Sequence, residues 1–192
     1  MSKVITLSRT FPAYHPKAGQ PTHFAQQVLN SLGIEWDDLD YLDLLHELNP
    51  GKEDIVYDFF CEFYLLHFPY LLQKLHTIRA NWTNKKTGET YQVWKQGDKA
   101  SLRVWSGVPY RSPQIIIAPD VELVKVGDFE KKFTSHSGMA PFINGRMVSP
   151  DNFCDVAEND GLEYHDLLAW FKWSDGKPFD GQILCWKEVS YV

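Results

Sequence analysis

Three side chains capable of chemistry stand close together in the run Lys74-Leu75-His76-Thr77-Ile78-Arg79. They are the ammonium of Lys74, the hydroxyl of Thr77 and the guanidinium of Arg79. If the chain is extended from Thr77 to Arg79, the period of two in a strand sends both side chains to one side and Ile78 into the core. Lys74, read as the end of a preceding helix, can swing to the same side. Such a group suits a phosphate, a carboxylate or the edge of a base. A desolvated Lys74 would have a lowered pKa, and as a neutral amine it could take the proton from Thr77 and make that hydroxyl a nucleophile. The same residues also describe a solvated helix end followed by an edge strand with a surface salt bridge, and on spacing alone that is the commoner outcome.

Two further groups stand out. Trp105-Ser106-Gly107-Val108-Pro109-Tyr110-Arg111-Ser112 has the glycine and proline of a hairpin-like loop. Trp105 and Tyr110 offer ring faces, and Arg111 and Ser112 offer polar donors, so the loop is either a stacking surface for a base or a structural turn with Trp105 in the core. In Glu158-Asn159-Asp160-Gly161 two acids and an amide meet in a turn before a helix. Helix capping and turn chemistry explain them. A carboxylate that faced Lys74 would instead shuttle protons. The seven histidines form neither HxxxH nor HExxH, and the sequence has no glycine-rich phosphate loop and no GxSxG elbow. No metal or other cofactor is therefore expected.

The elements that must position these groups follow from pattern. Val4 to Ser8 alternates as a strand, and Pro12, Pro16, Gly19 and Pro21 force an irregular loop. Thr22 is placed to cap a helix carrying Phe24, Val28 and Leu32, with Gly33 as its stop. Trp36 to Leu48 puts Leu39, Leu42, Leu45 and Leu48 on one stripe until Asn49-Pro50-Gly51. Ile55 to Leu66 repeats the pattern through Ile55, Phe59, Phe63 and Leu66. Ala80 to Gln96 is polar, with a turn signal at Lys85-Lys86-Thr87-Gly88. Ala100 to Trp105, Ile115 to Ala118 and Val121 to Val126 read as strands, the last two parted by Pro119-Asp120. Phe129 to Gly145 has no clear period. Ser149-Pro150 opens a short helix to Ala157, Leu162 to Phe171 reads as another, and Gln182 to Val189 as a closing strand. The pattern is α+β.

The chain of 192 residues suits one domain, 1–192. Its 44% hydrophobic and 23% charged content is that of an ordinary globular protein. A net charge of -6 argues against charge-driven binding along duplex DNA but leaves room for a local basic pocket. Aromatic residues make up 15%, seven of them Trp, enough to fill a core and still leave rings for stacking. Cys61, Cys154 and Cys185 are odd in number and form no CxxC pair, which speaks against a disulfide framework or a structural zinc site. The start Met1-Ser2-Lys3-Val4-Ile5-Thr6-Leu7 is no signal peptide and no stretch is long enough to span a membrane, so a cytoplasmic location is expected.

Lys-x-x-Thr-Ile-Arg at 74–79, followed by a polar loop, Gln96-Gly97-Asp98 and the strand Ser101-Leu102-Arg103-Val104, resembles the ASCH domain of the PUA-like superfamily. The likeness is greatest to the small bacterial ASCH proteins that act as N(4)-acetylcytidine amidohydrolases. Ser8-Arg9-Thr10-Phe11-Pro12 with His15-Pro16-Lys17 is similar to larger ASCH-like proteins of phages and bacteria. The resemblance covers roughly residues 70–126 and 155–189, and makes 24–72 a helical insertion in the N-terminal third. It implies a small β-barrel with helices at its rim and a cleft for RNA or a nucleoside. In the amidohydrolases the Lys and Thr of the signature act with a downstream Glu. Lys74 and Thr77 match, and Asp160 falls at the place of the acid, with Glu158 and Asn159 beside it. Asp for Glu shortens that arm by one carbon. The general ASCH motif has Gly two residues before its Lys and Glu three after. Here those places hold Leu72 and Thr77, so the match is to the Thr-bearing branch.

The mechanism the resemblance implies is acyl transfer: Lys74 deprotonates Thr77, Thr77 attacks an exocyclic acetamide, Asp160 protonates the leaving amine, and Arg79 with a backbone N–H holds the oxyanion. Three readings follow. One is a pocket that binds RNA or a modified nucleoside around Lys74, Thr77 and Arg79, with Trp105, Tyr110, Arg111 and Ser112 as further contacts. The second is the amidohydrolase. The third is a protein-interaction module that uses the helical insertion, with a vestigial pocket.

Overall fold

The computed structural model describes residues 2–36, 38–65, 73–135 and 138–192. The side chain of Phe63, and all of Leu66, His67, Leu72 and His136, lie outside the described residues. In chain order the elements are β1 (Lys3–Leu7), α1 (Phe24–Leu32), α2 (Leu39–Leu48), α3 (Glu53–Leu65), β2 (His76–Ala80), β3 (Trp82–Thr83), β4 (Thr90–Tyr91) and β5 (Lys99–Trp105). They continue as β6 (Gln114–Glu122), β7 (Lys125–Thr134), β8 (Gly138–Ile143), β9 (Arg146–Met147), α4 (Pro150–Asn159), α5 (Tyr164–Trp170), a 3-10 turn (Trp173–Asp175) and β10 (Phe179–Cys185). The class is α+β. The strands form three sheets, β1-β5-β6, β2-β10-β7-β8-β9 and β3-β4, none of which closes into a barrel among the described residues. No helix among them is long and apolar enough to cross a membrane.

The chain forms two compact units, 1–73 with 99–122 and 74–98 with 123–192. In the first, β1 runs parallel to β5 and β5 antiparallel to β6, and Ile5, Leu7, Leu102, Val104, Ile115 and Ile117 are fully buried. The outer edge of β6 is closed by Asn49, which follows α2. Its Nδ2 donates to Ile116 O at 3.0 Å and its Oδ1 accepts from Ile116 N at 2.8 Å. A buried side-chain amide thus takes the place of a neighbouring strand.

Local chemistry explains where the helices begin. α1 starts after His23, which holds the cap position at φ 58, one residue later than the sequence suggests; the Thr22 hydroxyl donates to Ser8 O at 2.6 Å and accepts a long bond from Phe24 N at 3.5 Å. Gly33 ends α1 at φ 73, as expected. α2 begins only at Leu39, because Asp38 accepts from Tyr41 N at 2.9 Å and caps it there. Trp36 therefore lies outside the helix, buried, with Nε1 donating to Asn30 Oδ1. Leu39 is exposed, and Tyr41 takes its place among the buried residues of α2.

In the second unit β2, β10, β7, β8 and β9 form an antiparallel sheet, with α4 and α5 against one face. That face carries His76, Ile78, Ile183, Cys185, Phe129 and Lys131. Lys131 is buried, and its Nζ donates to Phe171 O and Lys172 O at 2.9 and 3.1 Å, closing the end of α5. Ser149 caps α4 with Pro150 in its first turn, as expected.

Three sequence expectations are corrected here. The stretch 129–145, without a clear period in the sequence, falls in β7 and β8, and β7 is paired on both sides, by β10 and by β8. Pro119-Asp120 does not divide two strands: β6 runs through them, with Asp120 at φ 51, and the break falls at buried Leu123 instead. The last strand ends at Cys185 and does not reach Val189.

Candidate functional site

The cluster around Lys74 lies within the second unit. Lys74 is not at a helix end. It forms an antiparallel bridge with Asp160, Leu75 N donates to Asn159 O at 2.7 Å, and Trp186 N donates to Leu75 O at 3.1 Å. The indole of Trp186 adds a bond to Lys74 O at 2.8 Å. The extended stretch therefore starts at 74, three residues earlier than the sequence suggests. Period two then groups Lys74 with His76 and Ile78, and Thr77 with Arg79 on the opposite face.

Asp160 closes α4, its N–H bonded to Val156 O and Ala157 O, and Gly161 turns the chain at φ 75. This fixes the Asp160 carboxylate beneath β2. Lys74 Nζ donates to Asp160 Oδ1 at 2.8 Å and to Asp160 O at 2.5 Å. His76 Nδ1 lies 3.4 Å from the same Oδ1. Lys74 is 1% exposed, His76 0% and Asp160 5%, so the group is shut off from water. Of the three acid-turn residues, it is Asp160 that faces Lys74, while Glu158 is exposed.

The proton positions follow from donors and acceptors. Burial raises the Tyr191 pKa, so its phenol is protonated. Its oxygen accepts from Asn159 Nδ2 at 3.0 Å and lies 2.8 Å from His76 Nε2. With Tyr191 donating to Nε2, a neutral His76 carries its proton on Nδ1, which lies on the Asp160 side at 3.4 Å without forming a full hydrogen bond. Burial also lowers the His76 pKa, which keeps the ring neutral. Burial pushes Asp160 up and lowers Lys74, but the ammonium and the imidazole N–H together hold Asp160 below the usual carboxylate range. The result is a buried ion pair with a neutral imidazole beside it, bonded in turn to half-buried Tyr191.

Thr77 and Arg79 occupy the other face, opposite Leu184 and Gln182 of β10. Gln182 spends its amide on the chain beyond β4. Its Oε1 accepts from Val93 N and Trp94 N at 3.1 and 3.0 Å, and its Nε2 donates to Trp94 O at 2.9 Å. Thr77 is buried and Arg79 half-buried. The expected trio thus separates: Lys74 and Asp160 meet, and Thr77 stays with Arg79.

Trp105, Tyr110, Arg111 and Ser112 belong to the first unit, Trp105 as the last residue of β5 and the other three in the loop between β5 and β6. Ser112 is structural there, its Oγ accepting from Gly107 N and donating to Val108 O, both at 3.0 Å. Trp105 is half-buried. Tyr110 is 89% exposed at φ 63, its ring centroid 5.3 Å from that of Trp105. The first unit also holds a depression of about 350 Å³ whose walls include Glu35, Asp38 and Asp40. Those acids repel phosphate. Among the described residues no group of three or more His, Cys, Asp or Glu is placed to hold a metal ion.

Sequence reasoning missed His76, Tyr191 and Gln182. His76 carried a signal, since it stands two residues from Lys74 and shares its face once the segment is extended. Tyr191 is 115 residues away from His76 and carried none. Comparison with family models, curated proteins and solved structures gives no significant match.

Proposed function

We propose that this is a cytoplasmic ASCH/PUA-like protein that binds RNA or a nucleoside through the Thr77–Arg79 face of β2, without chemistry. The observation that carries the reading is the commitment of Lys74 to Asp160 on the opposite face of the strand. A base for Thr77 must share its side and give up its own proton. Lys74 instead donates to a carboxylate and a carbonyl. What remains beside Thr77 is Arg79, a hydroxyl and a guanidinium suited to a phosphate or a base edge. The buried pair then serves to pin the start of β2 to the end of α4, fixing the strand that presents them. Titrating cytidine and N(4)-acetylcytidine by calorimetry tests this. Arg79→Ala and Thr77→Val are each expected to weaken binding about tenfold, the size of one or two lost polar contacts. Unchanged affinity in both variants would reject the reading.

The amidohydrolase is kept as a second reading because Asp160, the acid that reading names, lies 2.8 Å from Lys74. It calls for the lysine to turn away from Asp160 when substrate binds. Release of acetate from N(4)-acetylcytidine, lost in Thr77→Ala, is its signature.

A further inference from the structure

We infer that the β3–β4 ribbon, residues 82–91, is a docking surface for single-stranded RNA. The inference rests on the nucleic-acid reading above and names the polymer over the free nucleoside. It starts from two rings in an unusual place. Trp82 and Tyr91 face each other directly across the ribbon, with centroids 5.8 Å apart. They are 56% and 45% exposed. Large rings are normally buried, and an exposed aromatic pair marks a contact surface.

The ribbon is built to hold them there. A two-stranded ribbon alone is barely stable in water. This one is tied down at both ends. Asn81 N and Nδ2 donate to Asp180 O and Oδ1 at 3.2 and 3.0 Å, and Gln182 holds Val93 and Trp94 on the chain just beyond β4. At the tip Asn84 N donates to Glu89 O at 2.8 Å, and Asn84 Oδ1 accepts from Lys86 N at 2.9 Å. Gly88, at φ 74, completes the reversal. Lys85 and Lys86 stand exposed at that tip.

Charge chooses the partner. From Arg79 to Lys95 there are four Lys/Arg and one acid, Glu89, a net +3 in a chain of -6, so the rest of the protein carries -9. A basic strip with rings set into it fits a polyanion whose bases are free to stack. That is a single strand, since the bases of a duplex are closed to side-chain rings. A protein partner would equally be drawn by the rings, but it would not need the lysines.

The test is fluorescence anisotropy of a short labelled oligouridine, with the duplex form as competitor. Wild type is expected to bind the single strand and prefer it to the duplex. Trp82→Ala is expected to weaken it about tenfold, the typical loss for one stacked base. Lys85→Gln with Lys86→Gln is expected to reduce the slope of log K against log salt by about 1.4, from about 0.7 for each charge. Trp82, Lys85 and Lys86 are all exposed, so the variants should fold. No binding of the single strand, equal binding of the duplex, or ribbon variants indistinguishable from wild type would each overturn the inference. Cytidine titration of the same variants separates it from the proposal about Thr77 and Arg79. Ribbon variants leave cytidine binding unchanged if both hold. Loss of cytidine binding in Arg79→Ala with unaltered RNA binding in Trp82→Ala defeats only the ribbon.

Discussion

Replacing Asp160 by Asn leaves the Lys74 ammonium buried without its counter-charge, and the size of the penalty can be worked out. The lysine has an escape: it can lose its proton. Doing so at pH 7 costs about 1.36 kcal/mol for each of the roughly 3.4 pH units below a free lysine pKa of about 10.4, or about 4.6 kcal/mol. That is a ceiling, and it agrees with the about 3–5 kcal/mol found when one partner of a buried pair is removed. The ceiling falls with pH, to about 1.9 kcal/mol at pH 9. Asp160→Asn is therefore expected to lose several kcal/mol relative to wild type at pH 7, and to recover most of it at pH 9. Adding Lys74→Met removes the orphaned charge and should restore part of the loss at pH 7, a coupling visible in a double-mutant cycle. Urea unfolding followed by circular dichroism at the two pH values measures all of this. A loss under about 1 kcal/mol at pH 7, or one that does not shrink by pH 9, would refute the claim that Lys74 is charged and shut away with Asp160.

In wild type the Asp160 pKa is held down, so its contribution is complete above the free carboxylate pKa of about 3.9 and is lost as pH falls through the lower folded value. His76, with its pKa lowered by burial, adds a second dependence: stability is full above about pH 6.5 and declines below it, because the unfolded chain takes up a proton that the fold refuses. His76→Gln should flatten stability against pH below about 6.5 by as much as one proton, read from denaturation midpoints at a series of pH values. Lys131→Met strips the donors from Phe171 O and Lys172 O and should cost about 1–3 kcal/mol, with faster amide exchange at the end of α5. Gly181→Ala places a Cβ 2.3 Å from Arg79 O, backbone that cannot yield without parting β2 from β10. A loss of about 3 kcal/mol in thermal unfolding is expected, together with weaker cytidine binding.

The class of fold was legible because burial imposes periods on the sequence. Val4 to Ser8, Phe24 to Gly33 and Ser149 to Ala157 each show one, and each forms the expected element within a residue or two. Where two rules compete, the pattern misleads. Asp38 offers a better cap than anything near Trp36, so α2 starts late and Leu39 is left in water. Pro119 lies in the outer strand of its three-stranded sheet, where a missing N–H costs nothing in the ladder, so β6 passes through it. At the site, residue types pointed to the right segment but not to its geometry. A shift of the strand start from Thr77 to Lys74 moved the lysine to the other face, because strand side chains alternate. The acid turn at 158–161 offered a carboxylate for Lys74 as one of two readings and a family resemblance pointed to Asp160, while the Tyr191 contact was suggested by nothing, since pairs so distant in sequence leave no local signal.

The central claim is that Thr77 and Arg79 hold a ligand while Lys74 stays with Asp160. It is tested most directly by adding N(4)-acetylcytidine to 15N-labelled protein and following protein amides and the ligand's acetyl methyl in one NMR sample. The account expects saturable shifts at Thr77 and Arg79 with the methyl signal unchanged. Free acetate, formed at a rate that falls in Thr77→Ala, would contradict it.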